Sequence, residues 1–460
     1  MRILVLNGSP KGENSITLQT IRYLEKRFPG ETFEVLHVGQ RIKALEKDFS
    51  EAADALTNAD LLLFCYPVYT FLVPSQLHRF IELLKEHGVN LAGRCAAQVT
   101  TSLHFYDITA HRFIRENCDD LGLSYLGGLS ADMEDLLKEQ GRKEAEDFFR
   151  FVLWRKEHGF SEPKRYGEPK EFTPVPLSES AMPAMSEGGR VAVVADFDPD
   201  EQSSIRDLVG RFLRVAPFET TLVNLREFPF AGGCLGCFRC AAKGACVYKD
   251  GFDSFLREQI QTADAIVYAF AIRDHSMGSR MKLYDDRQFC NGHRTVTMGK
   301  PVGYLVSGPL SEEENLRTVI EARAEVGGNF LAGVACDESD PDAGIEALAE
   351  TLRYAVDHAY QPPKTFWGVG GMKIFRDLIY QMRGLMKEDH RFYKKHGFYD
   401  FPQKRKGRIL GMYLVGGMMR NKKLQKKIGG KMTEGMLLPY KKVLEKAEEE
   451  SSAATEPKGE

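Results

Sequence analysis

Two groups of residues have types and spacing that suit cofactor or metal chemistry. The first occupies the turn at residues 7–15, NGSPKGENS, directly after the first strand-like run. Gly8 and Gly12 let the backbone approach an anion, and the amides at the start of the next helix point at the turn. Ser9 and Ser15 add hydroxyl groups and Lys11 adds a positive charge, so the turn predicts a phosphate site. The alternative is an ordinary turn in which Ser15 caps the helix.

The second group is a set of four cysteines within thirteen residues, namely Cys234, Cys237, Cys240 and Cys246. Their spacing is unlike the separated Cys-x-x-Cys pairs of zinc ribbons. It also departs from the bacterial ferredoxin run, because its last gap has five residues and Val247 follows where proline is expected. Three states stay open: an iron-sulfur cluster, a zinc ion and a reduced, metal-free loop. The other five cysteines lie in or next to apolar runs and are predicted to be buried small hydrophobic residues: Cys65, Cys95, Cys118, Cys290 and Cys336.

The elements that position the phosphate turn form an alternating β/α pattern over the first 130 residues. Short aliphatic runs at 3–6, 33–37, 61–65, 96–100 and 123–126 alternate with amphipathic helices. One helix carries Leu77, Phe80, Ile81 and Leu84 at the spacing i, i+3, i+4, i+7. This pattern predicts a doubly wound sheet of five parallel strands.

The same order of elements repeats after a proline-rich stretch that lacks periodicity. Strands are predicted at 191–195, 221–224, 265–270, 301–306 and 330–334, which indicates a tandem duplication. The predicted domains are an α/β domain at 1–155, a proline-rich linker at 156–189, a second α/β domain at 190–361 and a helical, basic extension at 362–460. We refer to the two α/β domains as copy one and copy two. Copy two has four acidic residues at 196–201, where copy one has its phosphate turn, and these would repel a second nucleotide.

Copy one resembles the flavodoxin-like NAD(P)H-dependent FMN reductases in its Gly-Ser-Pro turn, in the run from Cys65 to Tyr69 and in the helix that follows. The resemblance extends to copy two, over roughly residues 190–360. It implies FMN as cofactor and NAD(P)H as electron donor. It also implies that the FMN phosphate is held by Ser9, Lys11, Asn14 and Ser15. The isoalloxazine would be framed by Pro67, Val68, Tyr69 and Phe71 and closed on its other side by Thr101, Ser102, His104 and Phe105.

The cysteine motif is similar to that of the iron-sulfur flavoproteins, a branch of the same family in which it binds a [4Fe-4S] cluster beside the flavin. This resemblance implies an internal pseudo-dimer in which the flavin of copy one faces the cysteine centre of copy two. Residues 285–287 of copy two correspond to the end of the family's third helix and are predicted to be remnants of the fold.

The charge distribution sets the C-terminal extension apart from the rest of the chain. From Pro362 onward there are 22 Lys and Arg against 11 Asp and Glu, a net charge of +11, so the remainder carries −14. The simplest prediction is a helical hairpin that covers the acidic α/β body. The alternatives are contact with an anionic membrane surface or with an acidic redox partner. Nucleic acid is not expected, since no binding motif accompanies the charge. The chain's longest uncharged apolar run, Ile409 to Met419, is too short to span a bilayer.

The sequence therefore predicts a cytoplasmic flavoprotein oxidoreductase. It takes electrons from NAD(P)H or a protein donor and passes them to a small-molecule or protein acceptor, through the cysteine centre if that holds a cluster. No side chain is required as a general acid, because the flavin carries the hydride chemistry. The alternative is a non-catalytic redox sensor or electron carrier whose cysteine centre controls what the basic extension binds.

Overall fold

The computed structural model of the chain describes residues 1–105, 107–164, 172–178, 188–419, 437, 440–441 and 443–447. Copy one contains five strands and six helices. The strands are β1 (Arg2–Asn7), β2 (Thr32–Leu36), β3 (Leu61–Pro67), β4 (Cys95–Ser102) and β5 (Ser124–Asp132). The helices are α1 (Ile16–Arg27), α2 (Val38–Leu45), α3 (Ser50–Asn58), α4 (Ser75–Glu86), α5 (Asp107–Asp120) and α6 (Glu139–Glu157).

Copy two repeats this arrangement with an irregular segment after its second strand. Its strands are β6 (Arg190–Asp196), β7 (Glu219–Asn224), β8 (Ala265–Ala271), β9 (Pro301–Ser307) and β10 (Phe330–Cys336). Its helices are α7 (Ser204–Val215), α8 (Arg239–Lys243), α9 (Phe252–Phe255), α10 (Gly278–Arg287), α11 (Glu314–Gly327) and α12 (Pro341–Asp357).

Both sheets are parallel and have the same strand order. Copy one has the order β2-β1-β3-β4-β5, and copy two has the equivalent order β7-β6-β8-β9-β10. The central strands are apolar because helices cover both faces of each sheet. Residues 61–66 of β3, for example, are all buried. The predicted tandem pair of five-stranded flavodoxin-like sheets is thus confirmed, with each strand overlapping its predicted run.

The two copies share one continuous hydrophobic core. It includes Leu62 and Phe64 of copy one together with Val194 and Ile266 of copy two. The outer face of each sheet has a separate core of its own. The shared core lies where α4 packs against α10 and α5 packs against α11. This arrangement brings the carboxyl ends of the strands of copy one close to the loops of copy two.

The C-terminal region is helical where the structure describes it. Helices α13 (Phe366–Gln381) and α14 (Lys387–Lys395) belong to one compact unit, Met1–His396, together with both copies. Residues 397–460 form a second unit, which contains α15 (Lys406–Met419). The predicted disordered end lies outside the described residues, and the predicted domain boundaries stay predictions. Among the described helices, none has the length and apolar character needed to cross a bilayer.

Candidate functional site

The turn after β1 forms a compact nest that its own side chains hold in place. The Asn7 side chain accepts a hydrogen bond from the Ser9 amide at 3.2 Å and donates one to the Gly12 carbonyl at 3.0 Å. The Ser9 hydroxyl accepts from the Lys11 amide at 3.3 Å. Ser15 caps α1 by accepting from the Leu18 amide at 3.4 Å. Ser9 and Ser15 are both buried, so their hydroxyl groups belong to the interior of the site and not to the surface.

Close packing fixes the position of the nest. Gly8 lies against Leu77 of α4, where a Cβ atom would come within 2.7 Å of the leucine side chain. Gly12 has a φ of +55° and lies against Gln40, where a Cβ atom would come within 2.4 Å. A left-handed backbone without a side chain therefore suits this position.

The loop after β3 supplies the apolar wall of the site. Tyr69 and Leu72 form a short bridge, and between them Thr70 and Phe71 have φ values of 43° and 71°. The Val68 amide donates to the Thr101 carbonyl at 3.0 Å, which connects this loop to β4. One cavity of about 400 Å³ is lined by ten of the predicted FMN residues. These ten are Ser9, Lys11, Ser15, Pro67, Val68, Tyr69, Phe71, Thr101, Ser102 and Phe105.

Two predicted FMN residues, Asn14 and His104, differ from the others because they do not line this cavity. Asn14 is exposed on the outer side of the turn. His104 has a φ of 52° and lies 3.1 Å from the Ser130 hydroxyl and 3.4 Å from the Asp135 carboxylate, on the side of β5. Phe105, the next residue and also a predicted FMN residue, does line the cavity. A left-handed turn at position 104 could not be read from the residue types.

The cysteine loop of copy two lies directly over the nest of copy one. Cys234, Cys237, Cys240 and Cys246 all line the same cavity as the nest residues. The Gln76 side chain donates to the Cys234 carbonyl at 3.3 Å. The Lys11 ammonium lies 5.7 Å from the centre of the Phe238 ring, within range of a cation–π interaction. The nest of copy one and the cysteine loop of copy two therefore face one cavity.

Burial sets the protonation of the two innermost thiols. It raises the pKa of Cys234 to about 12 and the pKa of Cys240 to about 11. Neighbouring thiols of the set raise these pKa values further. Within the described part of the chain, however, no three of the four sulfur atoms lie within 4.8 Å of one another. A single zinc ion with Zn–S bonds of about 2.3 Å would need sulfur atoms about 3.8 Å apart.

Residues 285–287, which are predicted to be remnants of the fold, make contacts across the boundary between the copies and at the cysteine loop. Asp286 accepts a hydrogen bond from the Ser75 amide at 2.8 Å, across the boundary between the copies. Arg287 pairs with Asp250 at 2.8 Å and donates to the Gly232 carbonyl at 2.9 Å, which anchors the start of the cysteine loop. Asp285 pairs with Arg323 of α11. These contacts could not be predicted because their partners are distant in the sequence.

In copy two, an arginine side chain bridges the turn that follows the first strand, β6. Arg226 pairs with Asp196 at 3.1 Å and with Asp198 at 3.2 Å. The guanidinium thus lies at the acidic turn and neutralises part of the predicted negative charge. In copy one, Arg22 pairs with Glu13 of the corresponding turn at 3.1 Å, so an arginine contacts the first-strand turn in both copies.

The residues around the cavity fit an FMN molecule. Buried hydroxyl groups and a lysine ammonium face a phosphate-sized turn, and apolar residues after β3 offer a wall for a planar ring. Several lining residues were not predicted from the sequence, because they come from α1, from the end of β5 and from copy two. Those that border the nest and the ring wall include Ile16, Thr17, Met133, Phe238 and Phe289.

Structural comparison finds solved proteins that each align with 34–39% of this chain. An FMN-dependent NADH-azoreductase from Bacillus anthracis is 14% identical, with 34% of this chain and 98% of that chain covered and a TM-score of 0.27. An NAD(P)H:quinone oxidoreductase from Methanothermobacter marburgensis is 15% identical, with coverages of 39% and 100% and a TM-score of 0.30. An NADH:FMN oxidoreductase in its apo form is 20% identical, with coverages of 37% and 96% and a TM-score of 0.30.

Comparison with the curated proteins gives no significant match. The family model of the NADPH-dependent FMN reductases matches residues 1–111 and 198–331, which is just over half of the chain and includes both copies. Its first segment contains the nest and the ring wall, and its second contains the cysteine loop and α10. On this match, the chain belongs to the NADPH-dependent FMN reductase family as a tandem duplication.

Proposed function

We propose that the protein is an oxidoreductase in which FMN in copy one accepts electrons from NAD(P)H and the cysteine centre of copy two passes them on. The acceptor is a small molecule or a partner protein. The observation that carries this proposal is the shared cavity, since the nest of copy one and the four cysteines of copy two open into the same space. Two centres that exchange electrons must lie close together, and this arrangement brings them close.

Each group of residues has a distinct task in holding FMN. Ser9, Ser15 and the Lys11 ammonium would bind the phosphate, with help from the amide groups at the start of α1. The residues from Pro67 to Phe71 would hold the ring against β4. FMN, when bound, supplies the capacity to accept a hydride. The protein side chains then orient the ring, exclude water from its buried face and leave the cavity open on the side of the cysteines.

The cysteine centre is proposed to hold a [4Fe-4S] cluster. A cluster distributes its four thiolate ligands over several iron atoms, so it accommodates wider sulfur spacings than a single zinc ion does. The loop around these cysteines is anchored to copy one by Lys43, which donates to the Ala231 carbonyl at 2.6 Å, and by Gln76. These anchors favour a fixed distance between the cysteine centre and the FMN site.

Anaerobic reduction tests the proposed function. Protein purified under argon should be yellow-brown and should contain FMN, iron and acid-labile sulfide. Rapid mixing with NADPH or NADH should bleach the flavin absorbance, and exposure to a quinone should restore it. A flavin that neither nicotinamide bleaches would contradict the reductase and favour the electron carrier considered from the sequence.

A double substitution separates the roles of the two centres. In Cys240→Ser/Cys246→Ser, iron and sulfide should fall to background while FMN content and the bleaching by NADPH persist. Cys95→Ser is the matched control, since this thiol lies at the start of β4 outside the cavity. Iron and sulfide near zero in the wild-type protein would exclude the cluster and leave the flavin proposal standing.

A further inference from the structure

A buried histidine without partners lies at the boundary between the two copies. His78 on α4 has no solvent exposure, and neither of its ring nitrogens has a hydrogen-bond partner among the described residues. Either ring nitrogen of a neutral imidazole can donate its lone pair to a metal ion. Leaving both nitrogens of a buried imidazole unsatisfied is costly, which calls for a physical reason.

Two carboxylates face this histidine. His78, Glu82 and Asp274 each offer one ligand atom, and the three atoms lie within 4.8 Å of one another. His78 and Glu82 are four residues apart on α4, so they lie on one face of the helix. Asp274 comes from copy two, from the loop after β8. One imidazole nitrogen and two carboxylate oxygens are a donor set that Zn²⁺ and related divalent ions accept.

The internal repeat shows what occupies the equivalent place in the other half of the molecule. The bridge between Tyr69 and Leu72 corresponds to the bridge between Arg273 and Ser276, which sets an offset of 204 residues between the copies. By this offset His78 corresponds to Lys282, Glu82 to Asp286 and Asp274 to Thr70. Both helices use the same contact across the boundary, because the Ser75 amide donates to Asp286 and the Ser279 amide donates to Glu82.

A cation occupies the copy-two version of this arrangement. The Lys282 ammonium is fully buried and donates to the Tyr69 carbonyl at 2.9 Å, to the Thr70 hydroxyl at 2.8 Å and to the Asp286 carboxylate. In the copy-one version the ammonium is replaced by the neutral ring of His78, and the hydroxyl is replaced by the carboxylate of Asp274. The site has thus lost one positive charge and gained one negative charge.

The surrounding charges do not fully restore the balance. Asp274 pairs with Lys85 at 2.8 Å, and Lys85 is shared with Asp120 at 2.6 Å. Glu82 pairs with Arg79 at 2.9 Å, and Arg79 is shared with Glu46 and Glu86. Each of the two cations is therefore divided among several carboxylates. Each carboxylate also keeps lone pairs free for a further cation.

We infer that His78, Glu82 and Asp274 bind a divalent cation of the zinc class, which joins copy one to copy two in place of the missing ammonium. The site is separate from the flavin and cysteine cavity, whose lining contains none of the three residues among those described. Its role is to hold the two copies together, and it does not depend on the proposed function.

Cobalt binding tests the site in the full-length protein. Co²⁺ bound by nitrogen and oxygen ligands gives weak visible bands, whereas Co²⁺ bound by cysteines adds intense thiolate charge-transfer bands in the near ultraviolet. In the variant Cys240→Ser/Cys246→Ser, one equivalent of Co²⁺ should bind without the charge-transfer bands. His78→Gln should weaken this binding by about 100-fold or more, which exceeds the effect usual for residues that only support a ligand. His87→Gln, an exposed histidine at the end of the same helix, should bind as the parent does.

His78→Lys gives a test that does not depend on a weakened fold. This variant restores the arrangement seen around Lys282, so it should fold, should bind no Co²⁺ at the site and should have a thermal midpoint that Zn²⁺ no longer raises. The parent protein's midpoint should rise with Zn²⁺. Equal Co²⁺ binding by the parent, His78→Gln and His78→Lys would overturn the proposal, and so would the absence of cobalt binding outside the cysteines.

Discussion

Lys11 is the side chain on which the phosphate site depends most at the scale of single residues. It is the one residue of the nest that carries a positive charge, and its amide is held by the Ser9 hydroxyl. Its ammonium lies beside Phe238 of copy two, so copy two also limits where the charge can point. The sequence predicted its role, and the structure adds the aromatic partner.

Replacing Lys11 should weaken FMN binding. A hydrogen bond to a charged group contributes about 1.5–3 kcal/mol, so Lys11→Met should raise the FMN dissociation constant by about 10- to 100-fold. The quenching of flavin fluorescence during titration of the apoprotein measures this change. Lys26→Met, an exposed lysine on α1, serves as the control and should bind FMN as the wild type does. If Lys11→Met and Lys26→Met bind FMN with equal affinity, the FMN phosphate does not bind beside Lys11.

His275 is a second residue whose environment leads to a measurable effect. It lies between Glu313 of copy two at 2.9 Å and Asp120 of copy one at 3.1 Å. Burial alone would lower the pKa of His275, but the hydrogen bonds to Asp120 and Glu313 outweigh this effect and raise the pKa to about 10. The folded protein therefore binds a proton here more tightly than the unfolded chain does, in which histidine has a pKa of about 6.5.

This difference predicts how stability depends on pH. The contribution of His275 is complete below about pH 6.5, decreases as the pH rises and is lost near pH 10. The free energy of unfolding, measured with urea at a series of pH values, should therefore fall across this range. His275→Gln should lower stability by about 3 kcal/mol at pH 6 and should flatten the pH dependence. An unchanged slope in this variant would assign the dependence to other groups.

At the scale of elements, the shape of the cysteine loop depends on glycines in the left-handed region. Gly236 has a φ of +60° and packs against Tyr69, where a Cβ atom would come within 2.2 Å of the tyrosine hydroxyl. The loop can approach the ring wall of copy one because this position has no side chain. The next residues in the left-handed region, Phe238 and Gly244, flank the short helix α8.

Gly236→Ala should separate the cysteine loop from the flavin site. The backbone strain costs about 1–2 kcal/mol, and the contact with Tyr69 forces the loop away. Transfer of electrons from the reduced flavin to a quinone should slow, while bleaching by NADPH continues. Gly251→Ala is the control, because it has a φ of +78° but nothing within 4 Å of its added Cβ atom. If both variants slow transfer equally, the strain and not the contact is responsible.

At the scale of the whole molecule, charge and apolar surface are unevenly distributed. Residues before Pro362 carry a net charge of −14, and those after it carry +11. Helix α15 exposes seven large apolar side chains by 40% or more: Ile409, Leu410, Met412, Tyr413, Leu414, Val415 and Met418. Basic residues stand on both sides of this run in the sequence. Contact with an anionic membrane surface, one of the alternatives drawn from the sequence, stays a prediction. The exposed apolar side chains and the flanking basic residues favour it.

Vesicle binding tests this prediction. The full-length protein should sediment with vesicles that contain phosphatidylserine and should remain in solution with phosphatidylcholine alone, and salt should weaken the binding. Leu410→Glu/Leu414→Glu should reduce the fraction of protein bound to vesicles about tenfold or more. The reason is that a charged carboxylate is costly to bury in the apolar part of the membrane interface. Leu137→Glu, an exposed leucine of copy one, is the control. Equal sedimentation with vesicles that contain phosphatidylserine and with phosphatidylcholine vesicles would contradict the prediction.

Much of this organisation was predictable because it depends on local patterns. Alternating apolar runs and helical spacing located the ten described strands, because central strands such as β1, β3 and β9 are buried on both faces and are rich in consecutive apolar residues. The edge strands β2 and β7 are partly exposed and contain polar residues. The nest was predictable because its residues are contiguous. The orientation of His104 was not, because it depends on a left-handed backbone and on partners on β5 and beyond.

The sequence by itself determined the two α/β copies, the phosphate turn in one copy and the cysteines in the other. Only the tertiary structure decided that the cysteine loop covers the nest and that His78 meets Asp274 across the boundary. The physical reason is the range of the interactions. Turns and strands are encoded by neighbouring residues, whereas contacts between the copies join residues about 200 positions apart, which meet only when both sheets pack on a common core.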